Sequence, residues 1–244
     1  MPSKRSNFDI SNAYVRRARL QPALIVVLPL ALATLAWFPS GIAGWGLVWG
    51  VVVACGGTAL LAQVARDAGK RKEKDLYALW GGMPSVRFLR HRDAKNPVTL
   101  ARYHAKLAKL IKEVTIPSRE AEQQRPAAAD AVYDTCTKYL LEATRDQKKF
   151  ALLFDENCSY GFRRNIWGMK PYGIVFASVG LLSTFALLTI QVVKHSPITP
   201  IAIICSAIDL ALLFIWIFWI RPEWVRIPAE AYGERLLAAC EVLK

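Results

Sequence analysis

The chain has 244 residues, 54% of them hydrophobic, and sets 32 Lys and Arg against 19 Asp and Glu, a formal net charge of +13. That apolar content excludes a disordered chain, and cysteines scattered at 55, 136, 158, 205 and 240 exclude a disulfide scaffold. So large a basic surplus on so apolar a chain requires that the two kinds of residue be segregated along it.

Residues 1–21 form a basic arm with five basic residues (Lys4, Arg5, Arg16, Arg17 and Arg19) against Asp9. Residues 22–65 then hold no charge at all. They divide into Pro22–Phe38, a turn at Pro39, Ser40 and Gly41, and Ile42–Val64. A bilayer core takes about 20 apolar residues per helix, so the two runs predict a transmembrane hairpin. Pro22 suits a helix start and Pro29 predicts a kink. Arg16, Arg17 and Arg19 before an apolar stretch also fit a signal peptide, but the second run, following so closely, favours the hairpin. Gly46 and Gly50 make a GxxxG match of slight weight.

Residues 66–171 carry 22 basic and 13 acidic residues, and all of the excess lies in 66–112. Arg66, Lys70, Arg71, Lys72 and Lys74 read as a stop-transfer cluster drawn to anionic headgroups. After a turn at Trp80–Pro84 come Arg87, Arg90, His91, Arg92 and Lys95. Asn96-Pro97 then predicts an N-cap with proline in the first turn. A helix over 97–114 would bury Leu100, Tyr103, Leu107, Leu110, Ile111 and Val114, and present Arg102, Lys106 and Lys109 as a row. A plain solvated helix face explains the row equally well. The eight Lys and Arg in 84–112, against Asp93 alone, point further, to a polyanion gripped by guanidinium forks. His91, His104, Tyr103 and Phe88 are candidates to stack on bases, and lipid headgroups are the competing polyanion. From Arg125-Pro126 a helical pattern with Val132, Cys136, Tyr139, Leu140 and Ala143 predicts a core helix packed on 97–114. Residues 157–168 read as a loop, with Arg163 and Arg164 as interface anchors or as couplers to the next membrane helix.

Residues 172–220 contain only Lys194 and Asp209 as charged groups. Tyr172–Val193 and Pro200–Ile220, joined by a turn at His195, Ser196 and Pro197, predict a second hairpin. Asp209 falls mid-run, where a carboxylate costs about 2.5–3.5 kcal/mol on insertion scales. It must face a bundle interior or an aqueous lumen, or carry a proton. A ring of Asp209 from several subunits, with Ser206 beside it, would line a cation-selective pore. The plainer reading is a buried polar residue hydrogen-bonded to Ser206 or to a hydroxyl of the preceding helix. Residues 221–244 balance four basic residues against four acidic ones.

The positive-inside rule places both termini and 66–171 in the cytoplasm. The expected fold is therefore an all-α membrane protein with four transmembrane helices in two hairpins (22–65 and 172–220). A helical cytoplasmic domain (66–171) lies between them, the arm 1–21 precedes them, and the tail 221–244 follows. Catalysis finds no support. His91-Arg92-Asp93-Ala94-Lys95-Asn96 lacks the spacing of a kinase catalytic loop, and there is no Walker loop, Gly-x-Ser-x-Gly or metal-ligand spacing. No cofactor or metal is expected.

This layout, with Leu79-Trp80-Gly81-Gly82-Met83-Pro84-Ser85 and Arg90-His91-Arg92-Asp93, resembles the small multi-spanning effectors of bacterial anti-phage systems, most nearly the transmembrane effector of the Hailong system and more distantly the SLATT effectors. The resemblance implies a homo-oligomeric channel, taken as a tetramer, in the bacterial inner membrane. It would be opened by a nucleotide or short DNA signal that a partner nucleotidyltransferase makes, so that the infected cell depolarises and stops growing. Ligand-binding candidates from charge are Arg87, Arg90, His91, Arg92, Lys95, Arg102, Lys106 and Lys109. A non-conducting anchor or scaffold that recruits nucleic acid, anionic lipid or a protein is the alternative.

Overall fold

A computed structural model describes residues 12–39, 50 and 56–243. Among them there is no strand, and the chain is helical in order: α1 (Val15–Trp37), α2 (Gly57–Leu79), α3 (Pro84–Arg87), α4 (Pro97–Leu110), α5 (Arg119–Gln124), α6 (Pro126–Ala143), α7 (Ala151–Gly168), α8 (Lys170–Val193), α9 (Pro200–Phe214, prolonged by a π turn Ile215–Trp219) and α10 (Pro222–Ala238). Three helices are long and apolar enough to cross a membrane: Val15–Trp37, Lys170–Val193 and Pro200–Trp219. The second run expected to span, Ile42–Val64, lies outside the described residues except for Gly50 and its last turns, which belong to α2. The GxxxG match at Gly46 also lies outside them.

Two compact units make up the chain: Met1–Glu73 with Gly161–Val225, and Lys74–Tyr160 with Arg226–Lys244. The first holds the three spans. Their buried faces step by three and four residues, as helix geometry requires: Val26, Pro29, Ala33 and Ala36 on α1, Gly173, Ala177, Gly180, Thr184 and Leu187 on α8, and Ala202, Cys205 and Asp209 on α9. Outward-facing Val175, Val179, Leu182 and Phe185, with Ile203, Ile204, Leu210 and Phe214, leave an apolar surface far larger than water tolerates. That surface, on helices long and apolar enough to cross a bilayer, is consistent with a membrane protein.

α1 starts earlier than Pro22, which the sequence suggested as its beginning. The helix runs from residue 13, with a π-helical segment at Val15–Leu20. Pro22 has no N–H to offer the Ala18 carbonyl four residues back. Asn165 of α7 supplies the missing donor, its Nδ2 giving a hydrogen bond to that oxygen at 2.6 Å. α7 covers residues that the polar composition had suggested as a loop, because Cys158, Tyr160, Arg164, Asn165 and Ile166 are all buried and tertiary packing outweighs local preference. Gly168 crosses α2 so closely that a Cβ there would strike the Ala68 backbone.

The second unit is built around Leu89, Leu107, Tyr133, Cys136, Leu140 and Phe150. Its core is completed by Leu236, Leu237, Ala239 and Cys240. The C-terminal segment, read from sequence as a separate tail, is thus part of this core. Asn96 caps α4 as expected, its side chain accepting from the Val98 and Thr99 amides at 3.0 and 3.1 Å.

Candidate functional site

The spanning helices converge on Asp209. Its side chain is 0% exposed, and neither carboxylate oxygen has a hydrogen-bond partner. Gly180 of α8 faces it: a Cβ on that residue would lie 2.8 Å from Asp209 Oδ2 and 2.9 Å from the Pro29 carbonyl oxygen of α1. Glycine is thus what lets the carboxylate sit between the three helices. Ser206, one turn earlier on α9, does not bond Asp209. Its hydroxyl meets the fully buried Thr184 hydroxyl at 2.8 Å. The plainer sequence reading, in which Ser206 or a hydroxyl of α8 satisfies the carboxylate, is therefore corrected. Asp209 points into its own bundle, between Gly180 and the Pro29 carbonyl.

At one end of these helices, Lys170 Nζ donates to the Ile217 and Ile220 carbonyls at 3.1 and 2.8 Å. These oxygens lie at the π turn that ends α9, next to Pro222, which has no N–H. A cation at a helix C-terminus is favourable there. The two candidate couplers sit nearby in sequence. Arg163 donates to the Trp224 carbonyl at 2.9 Å and lies over its ring at 4.9 Å. Arg164 is buried and donates to Glu73 Oε1 at 2.7 Å and to Asn165 Oδ1. Burial disfavours the charged form of Glu73, but Arg164 and Lys70 outweigh it and hold the carboxyl below the ordinary range. Arg164 therefore ties α7 to α2, a structural clamp.

In the second unit, most residues proposed as ligands for an anion already have acidic partners. Arg90 is 8% exposed; its Nε and Nη2 form a fork on the Asp130 carboxylate, both bonds at 2.8 Å. It also donates to the Gly81 carbonyl at 2.7 Å and to Asp93 at 3.1 Å. Arg92 bonds Asp130 at 2.9 Å and Glu122 at 3.1 Å. Arg87 lies 3.8 Å from Asp93 and 3.6 Å from Glu230. The His91 ring is 3.1 Å from the Pro117 carbonyl, which can only accept, so Nε2 carries the proton. Lys95 rests over the Phe88 ring at 5.9 Å. On α4, Arg102 pairs at 2.5 Å with Glu241 while remaining 66% exposed. Lys106 and Lys109 form no ion pair among the described residues and are half-buried and exposed, respectively. Positive charge available to an outside anion is thus concentrated on the α4 row.

The residue that organises this cluster is Glu122. It lies on the short helix α5 and is 2% exposed. Its two oxygens accept from the His91 amide at 2.8 Å, the Arg92 amide at 3.1 Å, the Arg92 guanidinium and the Tyr133 hydroxyl at 2.8 Å. Burial opposes its ionisation, but these four donors prevail and hold its carboxyl below the usual range. His104 stacks on Tyr133, meets the His91 ring edge-on, and donates from Nε2 to the Leu89 carbonyl at 2.8 Å. Burial pushes its imidazole down from the ordinary value. His91 and His104, considered as base-stacking surfaces, are thus occupied within the fold. Phe88 and Tyr103 instead line a cavity of about 480 Å³, where Asp93, Glu156 and Glu234 outnumber Lys95 and Arg235, so its charge does not suit a polyanion. Among the described residues no cluster of three or more His, Cys, Asp or Glu is arranged to hold a metal.

The chain matches no family model, no curated protein and no solved structure.

Proposed function

We propose that the protein is a gated membrane conductance, an effector that lets protons or small cations cross the bilayer past Asp209 when its basic helical unit receives a signal. Asp209 carries this reading: a fully buried carboxylate with both oxygens unpartnered, among three spanning helices. An intramembrane acid is costly to insert, and such residues are characteristic of ion pathways and proton relays. Its inward direction favours a path along the seam between α1, α8 and α9 of each protomer over a ring shared among subunits. The basic row on α4 supports an anionic signal. The resemblance to anti-phage effectors implies short DNA or a nucleotide from a partner nucleotidyltransferase, a homo-oligomer, and a bacterial inner membrane with the basic unit in the cytoplasm.

Expression in bacterial cells stained with a membrane-potential dye tests the reading. Activated wild-type protein should depolarise the cells, and Asp209→Asn, activated in the same way and present in the membrane in equal amount, should not. Equal depolarisation by both would place conduction elsewhere. None from either would make the chain a non-conducting anchor that recruits nucleic acid, anionic lipid or a protein.

A further inference from the structure

Beyond Asp209, the seam between α8 and α9 alternates polar and apolar layers in the direction of the turn at Lys194–Thr199. The Thr184–Ser206 hydroxyl pair comes first, at 2.8 Å. Next is an apolar cluster of Ala36, Leu187, Ala202 and Cys205, none more than 8% exposed, with Leu32, Leu35, Leu188 and Ile201 against it. A second polar pair follows, in which Gln191 donates to the Thr199 hydroxyl at 2.7 Å and accepts from the Thr199 amide at 3.2 Å. The register is regular. Thr184, Leu187 and Gln191 follow one stripe of α8, while Ser206, Ala202 and Thr199 follow the facing stripe of α9. Seven residues separate the two polar layers on each helix, a rise of about 10 Å. The carboxylate and a hydroxyl pair thus lie on one side of a thin apolar barrier and an amide–hydroxyl pair on the other.

Apolar constrictions close pathways by excluding water, because a narrow gap lined with aliphatic groups gives water no hydrogen-bond partners. We propose that the layer of Ala36, Leu187, Ala202 and Cys205 is the closed gate of the conduction path, and that opening consists of wetting it. Leu187 is the largest side chain of the four and is the principal barrier. The inference rests on the proposed conduction past Asp209, and it locates the point at which that conduction is switched. It has a built-in reporter in Cys205, 2% exposed in the closed layer and in no disulfide. Once water enters, its thiol loses a proton and the thiolate attacks the sulfenyl sulfur of 2-aminoethyl methanethiosulfonate. An S–S bond forms, the S–SO2 bond breaks, and methanesulfinate leaves with the electron pair.

The experiment uses the full-length chain in lipid vesicles, with the reagent on both sides and labelling located by mass spectrometry. Leu187→Asn should leak protons or potassium at least tenfold faster than wild type and expose Cys205 to labelling at least tenfold faster. Leu187→Ala, which shrinks the barrier without adding a polar group, should change both in the same direction. Leu182→Asn on the lipid-facing side of α8, where Leu182 is 68% exposed, should change neither. Leak without labelling of Cys205, labelling without leak, or neither in both Leu187 variants overturns the gate. The conduction reading is tested separately by adding Asp209→Asn to Leu187→Asn. If the leak persists at full rate, ions pass the layer without passing Asp209, and that reading fails while the gate stands. If Leu187→Asn stays tight while wild type depolarises cells, the reading stands and the gate lies elsewhere.

Discussion

Replacing Glu122 by Gln keeps the shape of a buried side chain while removing its charge and one acceptor oxygen. The carboxylate accepts four hydrogen bonds, two from backbone amides that cannot turn away. Whichever oxygen becomes the amide nitrogen, that nitrogen faces the N–H of either His91 or Arg92, donor against donor. Hydrogen bonds to a charged acceptor contribute about 1.5–3 kcal/mol each, and a buried group left unsatisfied costs about 1–3 kcal/mol. With relaxation around the site, a net loss of about 2–3 kcal/mol in the second unit follows, roughly a 30- to 150-fold rise in its open population. Cys136 and Cys240 report that opening directly, since both are 0% exposed in the same core and burial pushes each thiol up to about 11. In the intact protein in detergent, thiol labelling of these two residues should accelerate by that factor in Glu122→Gln. Glu120→Gln, an exposed neighbour on α5, should leave it unchanged. Equal labelling rates for Glu122→Gln and wild type would refute the idea that Glu122 holds the loop at residues 91–92 to α5 and α6.

Acidification should loosen the same core in two stages. His104 binds its proton less readily folded than unfolded, so its contribution is complete above the unfolded value near 6.5 and fades as pH falls through the lower folded value. Glu122 has a depressed folded value, so its contribution is complete above about 4.3 and disappears as pH falls further. Thiol protection measured from pH 8 to pH 3 should fall in that order, and a rise on acidification would contradict both assignments. Asn96→Ala should cost about 1 kcal/mol through the lost α4 cap, read as a small rise in Cys240 labelling; no change would mean that the cap adds nothing to this core. Neutralising Arg102, Lys106 and Lys109 together to Gln should weaken binding of a single-stranded oligonucleotide. The slope of log affinity against log salt should become shallower by up to about 2, with thiol protection unchanged, whereas Arg90→Gln should open the unit by about 1.5–3 kcal/mol through the lost fork on the half-buried Asp130 carboxylate. An unaltered salt slope would exclude the α4 row as the anion surface.

How far the sequence could be read depended on the range of the interactions involved. Residues 172–193 and 200–220 were legible as candidate spans because a bilayer imposes length and apolarity on each segment separately. Asp209 stood out because nothing else in its run is acidic. The Asn96-Pro97 cap is also local, with donor and acceptor two or three residues apart. By contrast, Glu122 meets His91 and Arg92 across about thirty residues, and its composition resembled that of any exposed acid. Arg90 and Arg92 looked like unspent charge because their partners Asp130 and Glu122 lie on elements that only the fold brings near. Pro22 suggested a helix start by its local chemistry, and the Asn165 donor that lets α1 run through it comes from more than 140 residues away. The inward direction of Asp209 depends on Gly180 and the path of α1, which no pattern within α9 encodes.

The most direct measurement is voltage-driven flux through the purified full-length chain in lipid vesicles, wild type against Asp209→Asn, with a single-stranded oligonucleotide on both sides of the membrane as the anionic signal and proton and potassium arms run separately. Wild type should dissipate an imposed potential in at least one arm at least tenfold faster than Asp209→Asn, which should match empty vesicles. Equal rates for the two proteins, or a wild type no faster than empty vesicles, would contradict conduction past Asp209.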